Sequence, residues 1–297
     1  MDHTLYEYSA LLHRPPAPGG GTLQAFAVLM LEHWELCAPD GALRDPRMVG
    51  EFGSFSPDYR SWTQREYGLR IGIFRVLDAL RAAGIEPVVA ANSMAVQRLP
   101  ALVQRLQDAG CSWIAHGIAA TRMLHSGMAE DEQARSINQS IAAIAQATGH
   151  TPLGWLGQDW GSTPDTYRLL AQAGIRYTLD WCNDDQPYWL STEPPMLSIP
   201  MSAEWDDVQC QWLRHIEPRA HAALALAAFE RLRGECARHR RDAVFCLPIH
   251  PWLSGMPSRI QALRGLLSAL RQHADVQWTT PDALFTNTPR KQNDELP

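Results

Sequence analysis

The 297-residue chain has the composition of a globular protein, with 45% hydrophobic and 20% charged residues, which excludes an intrinsically disordered chain. Its formal net charge of −6 argues against general nucleic-acid binding, which requires a surplus of lysine and arginine. No apolar run approaches the roughly 20 residues of a membrane span. The first residues lack the basic and apolar regions of a secretion signal, so we expect a soluble, cytoplasmic protein. Six scattered cysteines without a CxxC pair are then expected to be reduced thiols.

Apolar, β-prone runs alternate with amphipathic helical patterns along the chain. Eight strands are predicted, at Gln24–Leu31, Pro87–Ala91, Ser112–His116, Leu153–Leu156, Arg176–Asp180, Met196–Pro200, Ala243–His250 and Asp275–Trp278. Apolar residues spaced by three and four predict helices between them. The clearest helical patterns cover 67–85, 93–110, 132–148, 219–238 and 258–273, and another begins at the Ser-Thr-Pro-Asp sequence of 162–165.

This alternation indicates a parallel sheet covered by helices on both faces. About eight strand–helix units over some 260 residues favour a (β/α) barrel over a doubly wound sheet. The GxGxxG and GxxxxGK[ST] motifs of nucleotide-binding proteins are absent from the sequence. We therefore predict a single-domain α/β barrel at 21–287, preceded by an extension at 1–20 and followed by a polar tail at 288–297.

Polar residues follow several of the predicted strands. In chain order they are Glu32, His33, His116, Asp159, Asp184 and His250. The carboxyl ends of barrel strands form the usual catalytic face, so we expect all of these except Asp184 to lie within one cavity. Structural interpretations remain open for each: a solvated loop start, a hydrogen-bonded buried histidine, or, for Asp184, an Asx turn.

Tryptophans concentrate at the same strand ends, where a wall of indoles would suit a planar ring or the face of a sugar. Packing alone would account for about half of them. The residues predicted to bind substrate are Trp34, Trp155, Asp159, Trp160, Asp184 and Trp252.

Four segments resemble the polysaccharide deacetylase superfamily, the NodB-like fold of carbohydrate esterase family four. They are REYGLRIGIFRVLDALRAAGI at 65–85, IAHG at 114–117, TGHTPLGWLGQDWGSTPDTYRLLAQAGIRYTLDWCNDDQPYW at 148–189 and LPIHPWLSGMPSRIQALRGLL at 247–267. They cover most of residues 25–285 in the family's order, and they look most like the branch of bacterial allantoinases and cyclic-imide hydrolases. The resemblance implies a distorted (β/α) barrel of seven or eight strands that hydrolyses amide C–N bonds.

The resemblance also implies roles for individual residues. In metal-dependent members, the first strand ends in a general base and a metal ligand, and these positions are similar to Glu32 and His33 here. The third strand supplies two ligand histidines four residues apart, but here they are His116 and Ala120, so the metal triad is incomplete. The family's arginine-proline motif after the fourth strand is also missing. The histidine of the last motif, a general acid in deacetylases, matches His250.

The resulting prediction is an amidohydrolase that opens a small cyclic amide, imide or ureide. Glu32 is expected to act as general base, with a pKa raised by the indole-walled pocket. His116 and His33 are expected to polarise the substrate carbonyl, and His250 to protonate the leaving nitrogen.

Two alternatives stay open. One is an N-deacetylase of an acetylated sugar or polysaccharide, disfavoured by the incomplete metal triad and the lack of a secretion signal. The other is a non-catalytic binding protein on a degenerate deacetylase fold. We expect no tightly bound cofactor, with a divalent metal such as zinc on His33 and His116 as the alternative. The expected partners are a small-molecule substrate and further copies of the chain in a homo-oligomer, without nucleic acid or membrane.

Overall fold

The computed structural model describes residues 3–17, 20–43 and 57–290 of the chain. Parts of all three predicted segments lie outside these residues, namely 1–2 and 18–19 of the N-terminal extension, 44–56 of the barrel and 291–297 of the polar tail. In the described part, strands and helices alternate as predicted. The predicted single-domain α/β barrel is confirmed as a mostly parallel sheet curled into a half-barrel.

Nine strands form one sheet in the described part of the chain. They are β1 (Leu23–Leu31), β2 (Pro87–Ala91), β3 (Ser112–Ala115), β4 (Gly154–Trp155), β5 (Tyr177–Thr178), β6 (Tyr188–Leu190), β7 (Met196–Ser198), β8 (Ala243–Ile249) and β9 (Gln277–Trp278). Their spatial order is β6-β7-β5-β4-β3-β2-β1-β8, and β9 pairs with the start of β1. Each predicted strand is present, and β6 is an additional strand that pairs antiparallel with β7.

β1 pairs with three strands, β2, β8 and β9, and its sequence LQAFAVLML is that of a buried strand. Every residue except Gln24 is buried, as expected for a parallel strand covered on both faces. Its register with β8 pairs Leu29 with Ile249, and its register with β2 pairs Leu31 with Ala91. The carboxyl ends of these three strands therefore meet at one face of the sheet.

Ten α-helices accompany the strands in the described residues. They are α1 (Tyr59–Tyr67), α2 (Ile73–Ala82), α3 (Ser93–Arg98), α4 (Pro100–Asp108), α5 (Glu130–Thr148), α6 (Thr166–Gln172), α7 (Pro218–His239), α8 (Pro251–Ser254), α9 (Ile260–Leu270) and α10 (Pro281–Asn287). The single helix predicted for 93–110 is wrong. Pro100 cannot continue the hydrogen-bond ladder of α3 and instead begins α4. None of the described helices is long and apolar enough to cross a membrane.

Successive residues of β1 belong to two hydrophobic clusters because side chains alternate along a strand. Phe26, Val28 and Met30 pack inside the half-barrel with alternate residues of the other strands. Ala27 and Leu29 belong instead to the outer cluster, which packs the sheet against the helices. This alternation also decides which residues just beyond each strand face the interior.

A π-helical turn at Gly68–Gly72 joins α1 to α2. Its two glycines allow α8 to approach closely. A Cβ on Gly68 would collide with the backbone of Trp252, and one on Gly72 would collide with the carbonyl oxygen of Pro251. Because α8 follows β8 directly, this contact fixes the chain just beyond His250.

Candidate active site

A cavity of about 240 Å³ lies at the carboxyl ends of the parallel strands. It brings together Glu32, His116, Asp159 and His250 from four different strand ends, as the sequence predicts. Its walls also include Trp34, Trp160 and Trp252, three of the predicted substrate-binding residues, together with Arg65, Gln158 and Asp206. The indole N–H groups of the three tryptophans are buried without a hydrogen-bond partner among the described residues.

Glu32 lies just beyond β1 and is buried. Its Oε1 accepts a 2.6 Å hydrogen bond from the Gln158 side-chain amide and lies 3.4 Å from His116 Nε2. The predicted rise in the pKa of Glu32 is wrong. Burial does raise it, but the hydrogen bond from His116, the positive charge of His250 and the amide of Gln158 together lower the pKa to about 2. The carboxylate is therefore ionised throughout the neutral range.

His250 follows β8 and is held by one carboxylate at two points. Its Nδ1–H donates to Asp207 Oδ1 at 2.6 Å, and its backbone N–H donates to Asp207 Oδ2 at 2.9 Å. Burial lowers the pKa of His250, but attraction to Asp207 and Asp206 outweighs this effect and raises the pKa to about 10. The imidazole is therefore protonated at neutral pH, and Nε2 is the nitrogen left to donate a proton.

Asp206 lies beside this pair, with its Oδ2 3.8 Å from His250 Nδ1. That oxygen is buried without a hydrogen-bond partner among the described residues. Burial raises the pKa of Asp206 to about 7. The negative charge of Asp207 also raises this pKa, whereas the positive charge of His250 lowers it. Asp206 therefore carries a negative charge mainly above neutral pH.

His116 has its tautomer set by the backbone. Its Nδ1–H donates to the carbonyl oxygen of Leu156 at 2.6 Å, and its Nε2 is directed towards Glu32. A neutral imidazole in this tautomer presents a lone pair on Nε2, whereas a protonated one presents a donor. His116 thus links the ends of β3 and β4 to the Glu32 carboxylate.

The predicted position of His33 in the cavity is wrong. Glu32 and His33 are consecutive, so their side chains point to opposite sides of the extended chain. His33 Nε2 accepts a 2.8 Å hydrogen bond from Arg98 of α3, and its backbone N–H donates to Asn92. Burial and the neighbouring Arg98 charge lower the pKa of His33. A neutral ring bonded to a guanidinium and directed away from the cavity cannot polarise a substrate carbonyl there.

Two predicted substrate-binding residues also lie outside the cavity lining. Trp155 is in β4 and packs in the outer cluster, while the next residue, Leu156, lines the cavity. Asp184 accepts two hydrogen bonds from Arg14 and thereby attaches the N-terminal segment to the barrel. Its neighbour Asp185 bonds through its carbonyl oxygen to the backbone of Val244, near the start of β8 and away from the carboxyl ends.

The loop after β4 has an unusual backbone. Asp159 and Trp160 are consecutive non-glycine residues with φ values of 47° and 53°. Aspartate tolerates this left-handed conformation, but a tryptophan adopts it rarely. Each such residue costs of the order of 1 kcal/mol or more, and conformations of this kind concentrate at functional sites. Here the loop brings Gln158 onto Glu32 and places the Trp160 ring in the cavity wall.

A metal site on His33 and His116 does not fit this arrangement, because His33 is bonded to Arg98 and Ala120 supplies no donor atom. In the described residues, one group offers three ligand atoms close together, namely Asp206, Asp207 and His250, all within 4.8 Å. Carboxylates and an imidazole suit a divalent cation. However, the Asp207 oxygens already bond His250 and Ser254. A cation on Nδ1 would displace the proton shared with Asp207, so this group fits a hydrogen-bonded acid better than a metal site.

Sequence reasoning missed Arg65, Asp206 and Asp207. Arg65 comes two residues before the predicted helical pattern of 67–85, and nothing in the sequence there indicates that its side chain enters a cavity. The two aspartates follow β7 after an intervening short turn, Ala203–Trp205, so they do not directly follow a strand. Two adjacent carboxylates in the sequence SAEWDDV were the available signal.

Comparison with known proteins agrees with this fold. The polysaccharide deacetylase family model matches residues 68–178, a stretch that contains His116 but neither Glu32 nor His250. A putative polysaccharide deacetylase from Schizosaccharomyces pombe is 27% identical over 143 residues, which are 46% of this chain and 43% of that relative. The match thus spans less than half of the relative's length.

Among solved structures, the chain is similar to the PuuE allantoinase, with a TM-score of 0.79, 24% identity and coverage of 95% of this chain and 97% of the other. It is also similar to a putative polysaccharide deacetylase from Mycobacterium smegmatis, with a TM-score of 0.76, 22% identity and coverage of 95% of this chain and 98% of the other. A carbohydrate esterase family 4 pseudoenzyme from Bacillus anthracis has a TM-score of 0.52 and 11% identity, with coverage of 94% of this chain and 72% of the other. At these identities the likeness shows a shared fold. Residues 68–178 therefore match the polysaccharide deacetylase family model, and the predicted resemblance of the chain to the polysaccharide deacetylase superfamily, with an allantoinase among its structural neighbours, is confirmed.

Proposed function

We propose that the protein hydrolyses the C–N bond of a small cyclic amide, imide or ureide, with Glu32 as general base and His250 as general acid. One observation carries this proposal: the cavity brings together the Glu32 carboxylate, whose pKa is lowered despite its burial, and the His250 imidazole, whose Nδ1–H is bonded to Asp207 and whose pKa is raised despite its burial. At neutral pH the base is therefore ionised and the acid is protonated. These are the states that hydrolysis requires.

The reaction follows from these two states. Glu32 takes a proton from a water molecule as the water oxygen attacks the ring carbonyl carbon. The positive charge of His250 stabilises the oxyanion that forms. The C–N bond then breaks as the Nε2–H of His250 passes its proton to the leaving nitrogen. The product is a ring-opened carboxylic acid. Glu32 then releases the proton that it took from water and His250 takes up a proton from solvent, so both groups return to their starting states and the net reaction adds one water molecule to the C–N bond.

The size and lining of the cavity support a small ring over a polymer. A volume of about 240 Å³ is below the roughly 300–1,000 Å³ of pockets for drug-sized ligands. The N–H groups of Trp34, Trp160 and Trp252, which have no partner among the described residues, are donors suited to a ring with several carbonyl oxygens. Indole faces would also stack on a planar ring.

Two other functions remain as outcomes of the test. The N-deacetylase alternative would need a metal, and its expected ligand positions are occupied by Ala120 and by His33, which faces Arg98. The binding-protein alternative is favoured by the same two departures from the family pattern. It is opposed by the retained pair of Glu32 and His250 in opposite ionisation states.

The direct test is a substrate panel of allantoin, substituted hydantoins, cyclic imides and N-acetylglucosamine, assayed with and without added zinc. Ring opening, followed as proton release and by mass spectrometry, is expected for at least one cyclic compound without zinc. Zinc-dependent acetate release from N-acetylglucosamine would support the deacetylase instead. Tight binding of a cyclic compound without any turnover would support the binding protein.

A further inference from the structure

Arg65 occupies a cage of three tryptophans at the wall of the cavity. It belongs to the last turn of α1 and is 4% exposed. Its guanidinium carbon lies 3.3 Å from the ring centroid of Trp252, 4.8 Å from that of Trp34 and 5.1 Å from that of Trp212. Attraction between the cation and these rings helps to keep the charge buried.

No carboxylate pairs with Arg65 among the described residues. Its Nη1 is buried without a hydrogen-bond partner there, and a buried charge normally has one. The Glu32 carboxylate accepts a hydrogen bond from Gln158 and lies beside His116 Nε2, and Glu35 is paired with Arg122. Burial lowers the pKa of Arg65 to about 9, with Glu32 acting in the opposite direction, so it is still a cation at neutral pH.

The stacking leaves the donor edge of the guanidinium available. Its faces contact indole rings, whereas its N–H groups lie in its plane. Among the described residues that line the cavity, there is no other arginine or lysine. This edge is therefore suited to the planar, bidentate recognition that guanidinium groups give carboxylates.

Arg65 is placed to bind a substituent and not the bond that breaks. Trp34 comes two residues after Glu32, and Trp252 comes two residues after His250. Arg65 contacts both tryptophans, so it lies in the wall of the cavity formed by the residues that follow Glu32 and His250. A group on Arg65 would be held while the ring carbonyl faces Glu32 and His250.

We propose that Arg65 anchors a carboxylate carried by the substrate, so that the substrate class is a cyclic amide, imide or ureide with a carboxylate substituent. This inference rests on the proposed function for the ring chemistry, but the anchoring itself concerns binding. The acidic groups that also line the cavity, Glu32, Glu35, Asp58, Asp159 and Asp206, oppose non-specific anions. A carboxylate must therefore reach the guanidinium edge to gain affinity.

The test compares two ligands that differ in charge and share a ring, hydantoin-5-acetate and hydantoin-5-acetamide. Affinities are measured by calorimetry in a Glu32→Gln background, which suppresses turnover. Hydrogen bonds to a charged group contribute enough for a preference of about 10- to 100-fold for the carboxylate. Arg65→Met should abolish this preference, and Arg65→Lys should retain part of it. The matched control Arg231→Met removes an exposed arginine and should leave the preference unchanged.

Equal affinity for the two ligands, or a preference that survives in Arg65→Met, would overturn the proposal. Folding is monitored by the melting temperature. Arg65 has no anionic partner among the described residues, but Arg65→Met loses the attraction between the cation and three indole rings. The melting temperature should therefore change only slightly, and Arg65→Lys provides a second variant if the change is large. A carboxylate preference without hydrolysis of any panel compound would retain the anchor and reject the proposed reaction. Hydrolysis of a panel compound without a preference for the carboxylate ligand would support the proposed reaction and reject the Arg65 anchor.

Discussion

His250 Nδ1 lies 2.6 Å from Asp207 Oδ1, while Asp207 Oδ2 accepts the backbone N–H of the same histidine. This two-point contact fixes both the orientation of the ring and the position of its first proton. Ser254 also donates to Oδ2 at 2.5 Å, so the carboxylate is itself held in place. The second ring proton, on Nε2, is the one that the chain can deliver to a substrate in the cavity.

Asp207→Asn should weaken His250 as a general acid. The substitution removes the negative charge in contact with the imidazole, so the pKa of His250 should fall and less of it should be protonated at neutral pH. General acid catalysis typically contributes about 10²- to 10⁴-fold, so turnover should drop towards this range, most steeply at alkaline pH. Asp275→Asn, which removes an exposed carboxylate paired with Arg233, is the control. A pH–rate profile that is the same in Asp207→Asn and in the unaltered protein would contradict the role of Asp207.

The pH dependence of kcat/KM should show a broad plateau. Glu32 works as a base above its pKa of about 2, and His250 works as an acid below its pKa of about 10. Between these values both groups are in their working states. Loss of the Asp206 proton near pH 7 adds negative charge beside His250 and so favours the protonated imidazole. The profile should therefore be flat through neutrality and fall only as the pH approaches 10, and a narrow bell centred near pH 7 would disagree.

Removal of metal should leave the protein unchanged. The His33–His116 pair does not form a site, and Asp207 and His250 are bonded to each other. Dialysis against a chelator should therefore alter neither activity nor melting temperature, since no binding free energy is lost. Added zinc should inhibit if it displaces the Nδ1 proton of His250. Recovery of one tightly bound zinc ion per chain, with activity lost on its removal, would revive the deacetylase alternative.

Gly72→Ala should destabilise the chain near the site. The added Cβ would collide with the Pro251 carbonyl oxygen, and both partners are backbone that cannot rotate away. Overpacking of this kind costs about 1–3 kcal/mol, and displacement of α8 should also lower turnover because Trp252 moves with it. The control is Gly265→Ala in α9, where a Cβ meets nothing within 4 Å. This change should raise stability by about 0.5–1 kcal/mol. Equal melting temperatures for the two variants would contradict the packing argument.

Most of the fold was predictable from sequence because continuous apolar runs mark buried parallel strands. Each of the eight predicted strands is present, although β4, β5 and β9 have two residues each. β6 was not predicted because its three residues, Tyr188–Leu190, lie between the polar, proline-containing sequences NDDQP and STEPP, which are typical of loops. The break between α3 and α4 was missed because the apolar spacing continues across Pro100.

The site was predictable to the level of strand ends but not to the direction of each side chain. Glu32, His116 and His250 enter the cavity, whereas His33 and Trp155 are one residue out of phase and face the other side. A shift of one residue along a strand moves a side chain to the other face of the sheet. A continuous apolar run does not show which of its residues face the interior of the barrel. The pKa of Glu32 was mispredicted because its amide and imidazole partners come from other strands.

The most direct test of the account is to compare Glu32→Gln with Glu35→Gln on a compound that the panel shows to be hydrolysed. Both carboxylates line the cavity, but Glu35 is held by Arg122 and Thr121, so it is a matched control for charge and size. Glu32→Gln should lower kcat by about 10²- to 10⁴-fold while the substrate still binds, and Glu35→Gln should keep most of the activity. Full activity in Glu32→Gln, or the larger loss in Glu35→Gln, would show that the base is another residue and would contradict the mechanism.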